Sequence, residues 1–324
     1  TLAESPILIF DLRLLENKKT KKWIESFPNS IGVQAGENLK QIKQFEKYFV
    51  EILHLIERTK IRNITLIGLG GGSIGDFVGF MASVFKRGVP LIHIPSTWLA
   101  AIDSAHGGKT ALNIAGYKNQ VGTYYSAERV YLVKELIKSQ PDERVTECMG
   151  EVLKTVLLRG GPLWKKAQDL STMNSEVLWR LLPDLILYKN KIVKIDPYEK
   201  KGPRLFLNFG HTFGHVLEAI QGWPHGIAVN YGLRLAIELS FEQGVLGAAE
   251  YTKINQSEFV KKFMMSRDQA FELLQKTPGL ERFLLQDKKA LGKNSTQFVL
   301  LKKIGVPFVQ SLSLNGLIAF AKKK

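Results

Sequence analysis

A short apolar run that ends in three glycines sets the first limit on how this chain can fold. Residues 64–69 read ITLIGL and run straight into Gly70-Gly71-Gly72, with a helical stretch over residues 76–85 behind them. Two more short apolar runs read as buried strands: residues 6–10 (PILIF), ending at Asp11, and residues 91–94 (LIHI), closed by Pro95. Between them, residues 39–58 place Ile42, Phe45, Phe49, Ile52, Leu53 and Ile56 at helical spacing. That spacing predicts an amphipathic helix. Strands alternating with helices predict a parallel α/β sheet.

Beyond Val145 the pattern changes. Residues 151–158, 176–194, 212–220, 228–243 and 256–276 all read as helices, and the next strand pattern is residues 297–301 (QFVLL). The 324 residues suggest two domains at about 150 residues each. The polar stretch around Pro141 places the boundary between 1–142 and 143–324. No internal repeat or low-complexity segment is visible.

The net charge of +15 raises nucleic-acid binding, because Lys and Arg release counterions from phosphates. The basic pairs Lys18-Lys19, Lys21-Lys22, Lys200-Lys201 and Lys302-Lys303 are scattered, and they lack an interleaved aromatic pattern of the kind that binds single-stranded DNA. They read as a solvated surface whose field also favours an anionic small substrate. The single cysteine, Cys148, permits no intrachain disulfide, so a reducing, cytoplasmic setting is expected. No signal peptide or membrane span is expected. Position 1 is Thr, so a trimmed start is expected.

Two motifs carry chemistry. GGGSIGD, from Gly70 to Asp76, sits between a strand and a helix, where glycines allow close approach and helix N–H groups can hold a pyrophosphate. It is not the strict GxGxxG form, and glycines in such loops often serve sterics alone. FGHTFGH, from Phe209 to His215, and PHG, from Pro224 to Gly226, place three of the six histidines within fifteen positions. His211 and His215 share a helix face, so spacing alone points to them as paired metal ligands. Glu151 or Glu218 could supply a carboxylate. The plain alternative is a satisfied helical histidine pair.

Together these segments resemble 3-dehydroquinate synthase and its sugar-phosphate cyclase relatives. The matching stretches, in family order, are GGGSIGDFVGF from Gly70, KRGV from Lys86, IPSTWLAAIDSAHGGKTALN from Ile94, YKNQVG from Tyr117, GEVLKT from Gly150, RLFLNFGHTFGHVLEAI from Arg204, HGIAV from His225 and QDKK from Gln286. The resemblance implies an N-terminal parallel-sheet NAD-binding domain and a mainly α-helical C-terminal metal-binding domain. It further implies an active site in the cleft between them, a homodimer, and zinc or cobalt as the metal. The implied reaction turns 3-deoxy-arabino-heptulosonate 7-phosphate into 3-dehydroquinate and phosphate. The alternatives are another sugar-phosphate cyclase or a metal-dependent alcohol or glycerol dehydrogenase.

Carried over by position, the metal ligands become Glu151, His211 and His225, which displaces His215 to the substrate phosphate. NAD contacts would involve Asp11, Glu37, Lys40, Gly71, Gly72, Ser73, Asp76, Ser96 and Thr97. Asp103 and Lys118 would join them and also reach the substrate. Substrate contacts would involve Lys109, Asn119, Lys154, Lys189, Arg204, Asn208 and His215, with Lys288 or Lys289. Asn119, Lys154, Glu199 and His215 are the candidates for catalytic roles. Arg87 would reach the substrate of the neighbouring subunit. Singly, each has a bland role: Asp76 could cap a helix, and Arg204 could satisfy loop carbonyls. Departures from the family pattern are Gly150 for the common Ala, His106 for Val or Ile, Tyr117 for Gly, and Ile227 for Glu.

Overall fold

The three apolar runs are neighbours in one sheet. The computed structural model describes residues 6–200, 202–279 and 295–322. It divides into two compact units, Thr1–Pro141 and Asp142–Lys324. The first unit runs β1 (Pro6–Asp11), α1 (Lys18–Glu25), β2 (Ser30–Val33), α2 (Ile42–Thr59), β3 (Thr65–Gly70), α3 (Gly72–Val84), β4 (Leu91–Pro95) and α4 (Trp98–Ile102). The hairpin β5 (Lys109–Ile114) and β6 (Tyr117–Tyr124) follows, then β7 (Arg129–Val130) and α5 (Lys134–Lys138). Five strands form a parallel sheet in the order β2-β1-β3-β4-β7.

Side chains alternate across a strand, so β1 feeds both faces. Ile7 and Ile9 pack with Ile52 of α2 and with Phe77 and Met81 of α3. Leu8 and Phe10 pack on the other face with Ile24 of α1 and Leu136 of α5. Every residue of β3 and β4 is buried, which is why those runs are continuously apolar. The helix after the glycines begins at Gly72, four residues before Asp76. Asp76 therefore lies inside α3 and does not cap it.

His93 of β4 is a polar exception in this core. Burial, followed by the charge of His106, pushes its pKa down to about 4 from 6.5. The folded state therefore binds the proton less well than the unfolded chain. Stability from this group is complete above pH 6.5 and is lost as pH falls towards 4. The full loss is on the order of 3 kcal/mol. Urea midpoints measured from pH 7 to pH 4 should show this decline, and His93→Leu should flatten it. An unchanged slope in that variant would assign the acid limb to other groups.

The second unit is mainly helical: α6 (Glu143–Glu147), α7 (Met149–Arg159), α8 (Gly161–Ala167), α9 (Ser175–Ile195), a 3-10 turn at Pro203–Asn208, α10 (His211–Gln221), α11 (His225–Glu242) and α12 (Ala248–Gln256). Then come α13 (Glu258–Phe263), α14 (Arg267–Lys276), the hairpin β8 (Ser295–Lys303) and β9 (Val306–Ser313), and a last helix, Leu314–Ala321. The single helix expected over residues 256–276 is corrected to α13 and α14. Ser266 starts α14 with a capping box, its side chain accepting from Gln269 N–H while the Gln269 side chain accepts from Ser266 N–H.

Helix α11 packs against α7 and α10 backbone to backbone. A Cβ on Gly150 would lie 2.1 Å from the Gly226 carbonyl oxygen, and one on Gly226 would lie 1.9 Å from that of Glu147. A Cβ on Gly232 would lie 2.0 Å from the Gly210 oxygen. No side chain fits at these crossings, so glycine at position 150 has a steric reason of its own.

Candidate active site

Three helices each deliver one donor to a single point in the second unit. Glu151 stands in the first turn of α7, His211 begins α10, and His225 begins α11. Among the described residues, these three bring ligand atoms within 4.8 Å of one another. The turn at Gly222 (φ 67°) and Pro224 folds α11 back onto α10, which carries His225 to His211. Both histidine Nε2 atoms face the same carboxylate oxygen, Glu151 Oε1, at 3.3 and 3.4 Å.

Tautomers follow from the outer partners. His211 Nδ1–H donates to the Phe209 carbonyl at 3.2 Å, because a carbonyl can only accept. His225 Nδ1–H donates to Glu218 Oε2 at 2.9 Å. Each Nε2 is thereby turned inward, the orientation that second partners impose on metal-bound imidazoles. Glu218 is thus an orienting carboxylate, and Glu151 occupies the position among the donors. Replacing Glu218 with Gln should weaken zinc binding about 10–100-fold. Equilibrium dialysis against a zinc buffer measures it, and an unchanged affinity would remove Glu218 from the site.

Burial opposes ionisation of Glu151, but the charge of Lys154, and then the nearby His211 and His225 rings, hold its carboxyl well below the usual range. Lys154 lies one turn on, its Nζ 2.5 Å from Glu151 Oε2. Even so, neither buried oxygen of Glu151 receives a hydrogen bond of good geometry. Burial lowers the His225 pKa, yet Glu151 and Glu218 raise it to about 9. The pair of carboxylates therefore draws positive charge into this spot. Two imidazole nitrogens and an under-bonded carboxylate fit a zinc-type divalent ion with an open position.

His215 sits beside the trio, its ring centroid 5.1 Å from that of His211 and 5.8 Å from that of His225. The geometry pairs His211 with His225 and Glu151, and so departs from the pairing that spacing suggested. Burial, then the nearby His211 and His225, push the His215 pKa down to about 3. Its ring is neutral at pH 7. Nearby in sequence, Lys189 and Arg204 are buried. Arg204 donates from Nη1 to the Pro197 carbonyl at 2.6 Å, so its loop role is real. Asn208 Nδ2 donates to Glu199 Oε1 at 3.3 Å, and Glu199 has a left-handed φ of 56°. Lys288 and Lys289 lie outside the described residues.

The first unit holds the second group of candidates. Gly70–Gly72 lead from β3 into α3, and no side chain caps that helix. Its first N–H groups have no intrahelical partner. A Cβ on Gly71 would lie 3.2 Å from the Thr97 methyl, and one on Gly72 3.3 Å from Ser104 Oγ. Ser96 N–H donates to the Gly70 carbonyl at 2.9 Å, tying the ends of β3 and β4 together. Ser73 Oγ accepts from Gly36 N–H at 3.0 Å. This uncapped helix end with a glycine cradle fits a pyrophosphate.

Glu37, Lys40, Asp76 and Asn119 converge beside it. Lys40 Nζ donates to Asp76 Oδ2 at 2.7 Å and to Asn119 Oδ1 at 2.5 Å. Burial raises the Asp76 pKa, and Lys40 opposes the rise. Asn113, not among the sequence candidates, joins the group. It donates to Glu37 Oε2 at 2.7 Å and accepts from Asn119 N–H at 2.9 Å. Asp103 follows α4, while Lys109 and Lys118 lie in the β5–β6 hairpin. His106 Nε2–H donates to the Ala101 carbonyl at 3.0 Å, which accommodates that departure locally. Arg87 lies in a run of three left-handed residues, Lys86, Arg87 and Gly88, with φ of 47°, 69° and 125°. Two non-glycine residues held there store strain of about 1–3 kcal/mol each.

No helix among the described residues is long and apolar enough to cross a membrane. The family model described as 3-dehydroquinate synthase N-terminal matches residues 30–147, and the C-terminal model matches residues 148–290. A 3-dehydroquinate synthase of Francisella tularensis subsp. tularensis (strain FSC 198) is 35% identical over 295 residues, 89% of this chain and 80% of that protein. A 2-deoxy-scyllo-inosose synthase structure with carbaglucose-6-phosphate, NAD+ and Co2+ superposes with a TM-score of 0.79 at 21% identity, over 98% of this chain and 90% of that one. The 2-epi-5-epi-valiolone synthase of Streptomyces hygroscopicus subsp. jinggangensis 5008, with NAD+ and Zn2+ bound, gives 0.78 at 18% identity, over 99% and 92%. On the two adjoining family matches and the length of the shared sequence, this chain belongs to the 3-dehydroquinate synthase family.

Proposed function

We propose that this chain converts 3-deoxy-arabino-heptulosonate 7-phosphate into 3-dehydroquinate and phosphate, using NAD and a divalent zinc or cobalt ion. The convergence of Glu151, His211 and His225, in a chain of this family, carries the reading. Residues 1–142 take the NAD role and residues 143–324 the metal and substrate roles. The reading includes a phosphate-eliminating lyase, a cytoplasmic setting argued from the lone Cys148, and a homodimer in which Arg87 reaches the neighbouring site.

Glu151, His211 and His225 would hold the ion, and the Gly70–Gly72 turn with the N-terminus of α3 would hold the NAD pyrophosphate. When bound, NAD accepts and returns a hydride, and the ion polarises substrate oxygens. The chain's own residues position and neutralise. Lys154 places an ammonium next to Glu151, where it can meet an anionic oxygen of the substrate. Arg204 offers a planar fork suited to phosphate, and Lys189 a compact charge. His215 holds one proton on its neutral ring and can share it with the departing phosphate. Asn119 is held by Asn113 and Lys40 in a left-handed conformation, φ 57°, which fixes its amide. This is catalysis mainly by orientation and charge placement.

The test is phosphate release from 3-deoxy-arabino-heptulosonate 7-phosphate with NAD and zinc or cobalt, with and without a chelator. Chelator-sensitive release with no net NADH supports the reading. Turnover of sedoheptulose 7-phosphate alone, or steady accumulation of NADH, would replace it.

A further inference from the structure

Asn113 sits where the β5–β6 ladder breaks. Leu112 pairs with Val121 and Ile114 with Tyr117, so Asn113 alone faces Lys118, Asn119 and Gln120. Bulges of this kind free backbone groups from the ladder and re-aim a side chain, and they recur beside active sites. Asn119 carries the break in its left-handed φ of 57°. Its N–H, out of the ladder, donates to Asn113 Oδ1 at 2.9 Å.

Asn113 is only 3% exposed, so its amide must find partners inside the protein. Its Nδ2 donates to Glu37 Oε2 at 2.7 Å, and its backbone N–H donates to the Lys40 carbonyl at 2.7 Å. A bridge to Gln41 ties the same residue to the start of α2. The two side-chain partners fix which way the amide points, because the Asn119 N–H can only donate and the Glu37 carboxylate accepts. Lys40 Nζ donates to Asn119 Oδ1, and, among the described residues, no hydrogen bond takes Asn119 Nδ2. That amide nitrogen is left for a ligand.

We propose that Asn113 is a positioning residue with two arms. Its side-chain oxygen holds the bulge that aims Asn119 at the substrate, and its side-chain nitrogen holds Glu37 for the NAD. The proposal rests on the reading of Asn119 and Glu37 as substrate and NAD contacts.

Asn113→Leu and Asn113→Asp, in the zinc-loaded full chain, separate the arms. Leucine keeps the size and removes both. Aspartate keeps the acceptor, loses the donor and sets a carboxylate against Glu37. Exchange of the Asn119 amide hydrogen, read by NMR, should speed about tenfold or more in Asn113→Leu and stay slow in Asn113→Asp. Calorimetric NAD affinity should fall about tenfold in both, the loss of one hydrogen bond to a charged group. At saturating NAD, kcat for phosphate release should fall about 10–100-fold in Asn113→Leu, since a small misplacement of a contact group is felt on that scale. Asn113→Asp should recover most of that loss. A general loss of packing would lower all three readouts in both variants, so recovery of exchange and kcat with NAD still weak marks positioning. Equal kcat loss in both variants would overturn the proposal, as would slow exchange or undiminished NAD affinity in Asn113→Leu. No phosphate release from the natural chain would sink the function reading instead, with exchange and NAD affinity still deciding the two arms. If the natural chain bound no NAD, the Glu37 arm would fall with the nucleotide-site reading.

Discussion

Replacing His211 with alanine should reduce phosphate release by roughly a thousandfold or more and strip zinc from the chain. Removing one of three donors leaves Glu151 and His225 to hold the ion alone. A Lewis acid in such a site contributes several kcal/mol to the transition state, and each ~1.4 kcal/mol is a tenfold change in rate. Bound zinc measured after dialysis, beside the phosphate assay, separates loss of the ion from loss of the fold. The informative control is His215→Ala. It should keep its zinc, since His215 lies outside the group of converging donors. Zinc lost with His215→Ala and kept with His211→Ala would restore the pairing that helical spacing suggested.

The largest stability effect is expected at Lys154. Its side chain is 3% exposed and that of Glu151 is 1% exposed, and the two are paired at 2.5 Å. Lys154→Met keeps the volume and removes the charge. Breaking a buried pair from one side costs about 3–5 kcal/mol, because the remaining charge is uncompensated. The loss should appear in urea unfolding with a chelator present. Added zinc should restore part of it, because a divalent cation compensates Glu151 from the other side. A metal-free Lys154→Met chain as stable as the natural one would mean that Glu151 takes up a proton at no cost, so that the pair is not structural. Activity should fall too, and added zinc should not restore it if Lys154 meets the substrate.

Much of the first unit could be read from apolar pattern. β1, β3 and β4 are buried on both faces, so their runs stand out, and α2 shows its apolar stripe. The β5–β6 hairpin gave no such signal. Tyr117–Tyr124 is mostly exposed along its length, so nothing forces apolar alternation on it. Residues 256–276 carry helical spacing throughout, and only the Ser266 cap, three residues from Gln269, betrays the break.

The site was legible in part for similar reasons. Spacing within one helix can bring His211 and His215 together, but it cannot see across the turn at Gly222 to His225. Family resemblance supplied that third position. Glu218 was visible only as a carboxylate near histidines, since its contact with His225 depends on how α10 meets α11. Asn113 left no signal in spacing. It acts through a hairpin that pattern did not reveal.

The glycine crossings also bear on which ions this site can admit. Because α7, α10 and α11 touch backbone to backbone, the origins of the three donors are set by helix spacing, and rotamers can adjust them only slightly. A site of this kind discriminates by size and by ligand number. Zinc and cobalt, similar in radius and tolerant of few ligands, should exchange freely. Calcium, which seeks about six to eight oxygens at longer distances, should be refused even in large excess. Ion choice is then inherited from main-chain packing, and substitutions among the surrounding side chains would tune affinity without changing which metal is taken.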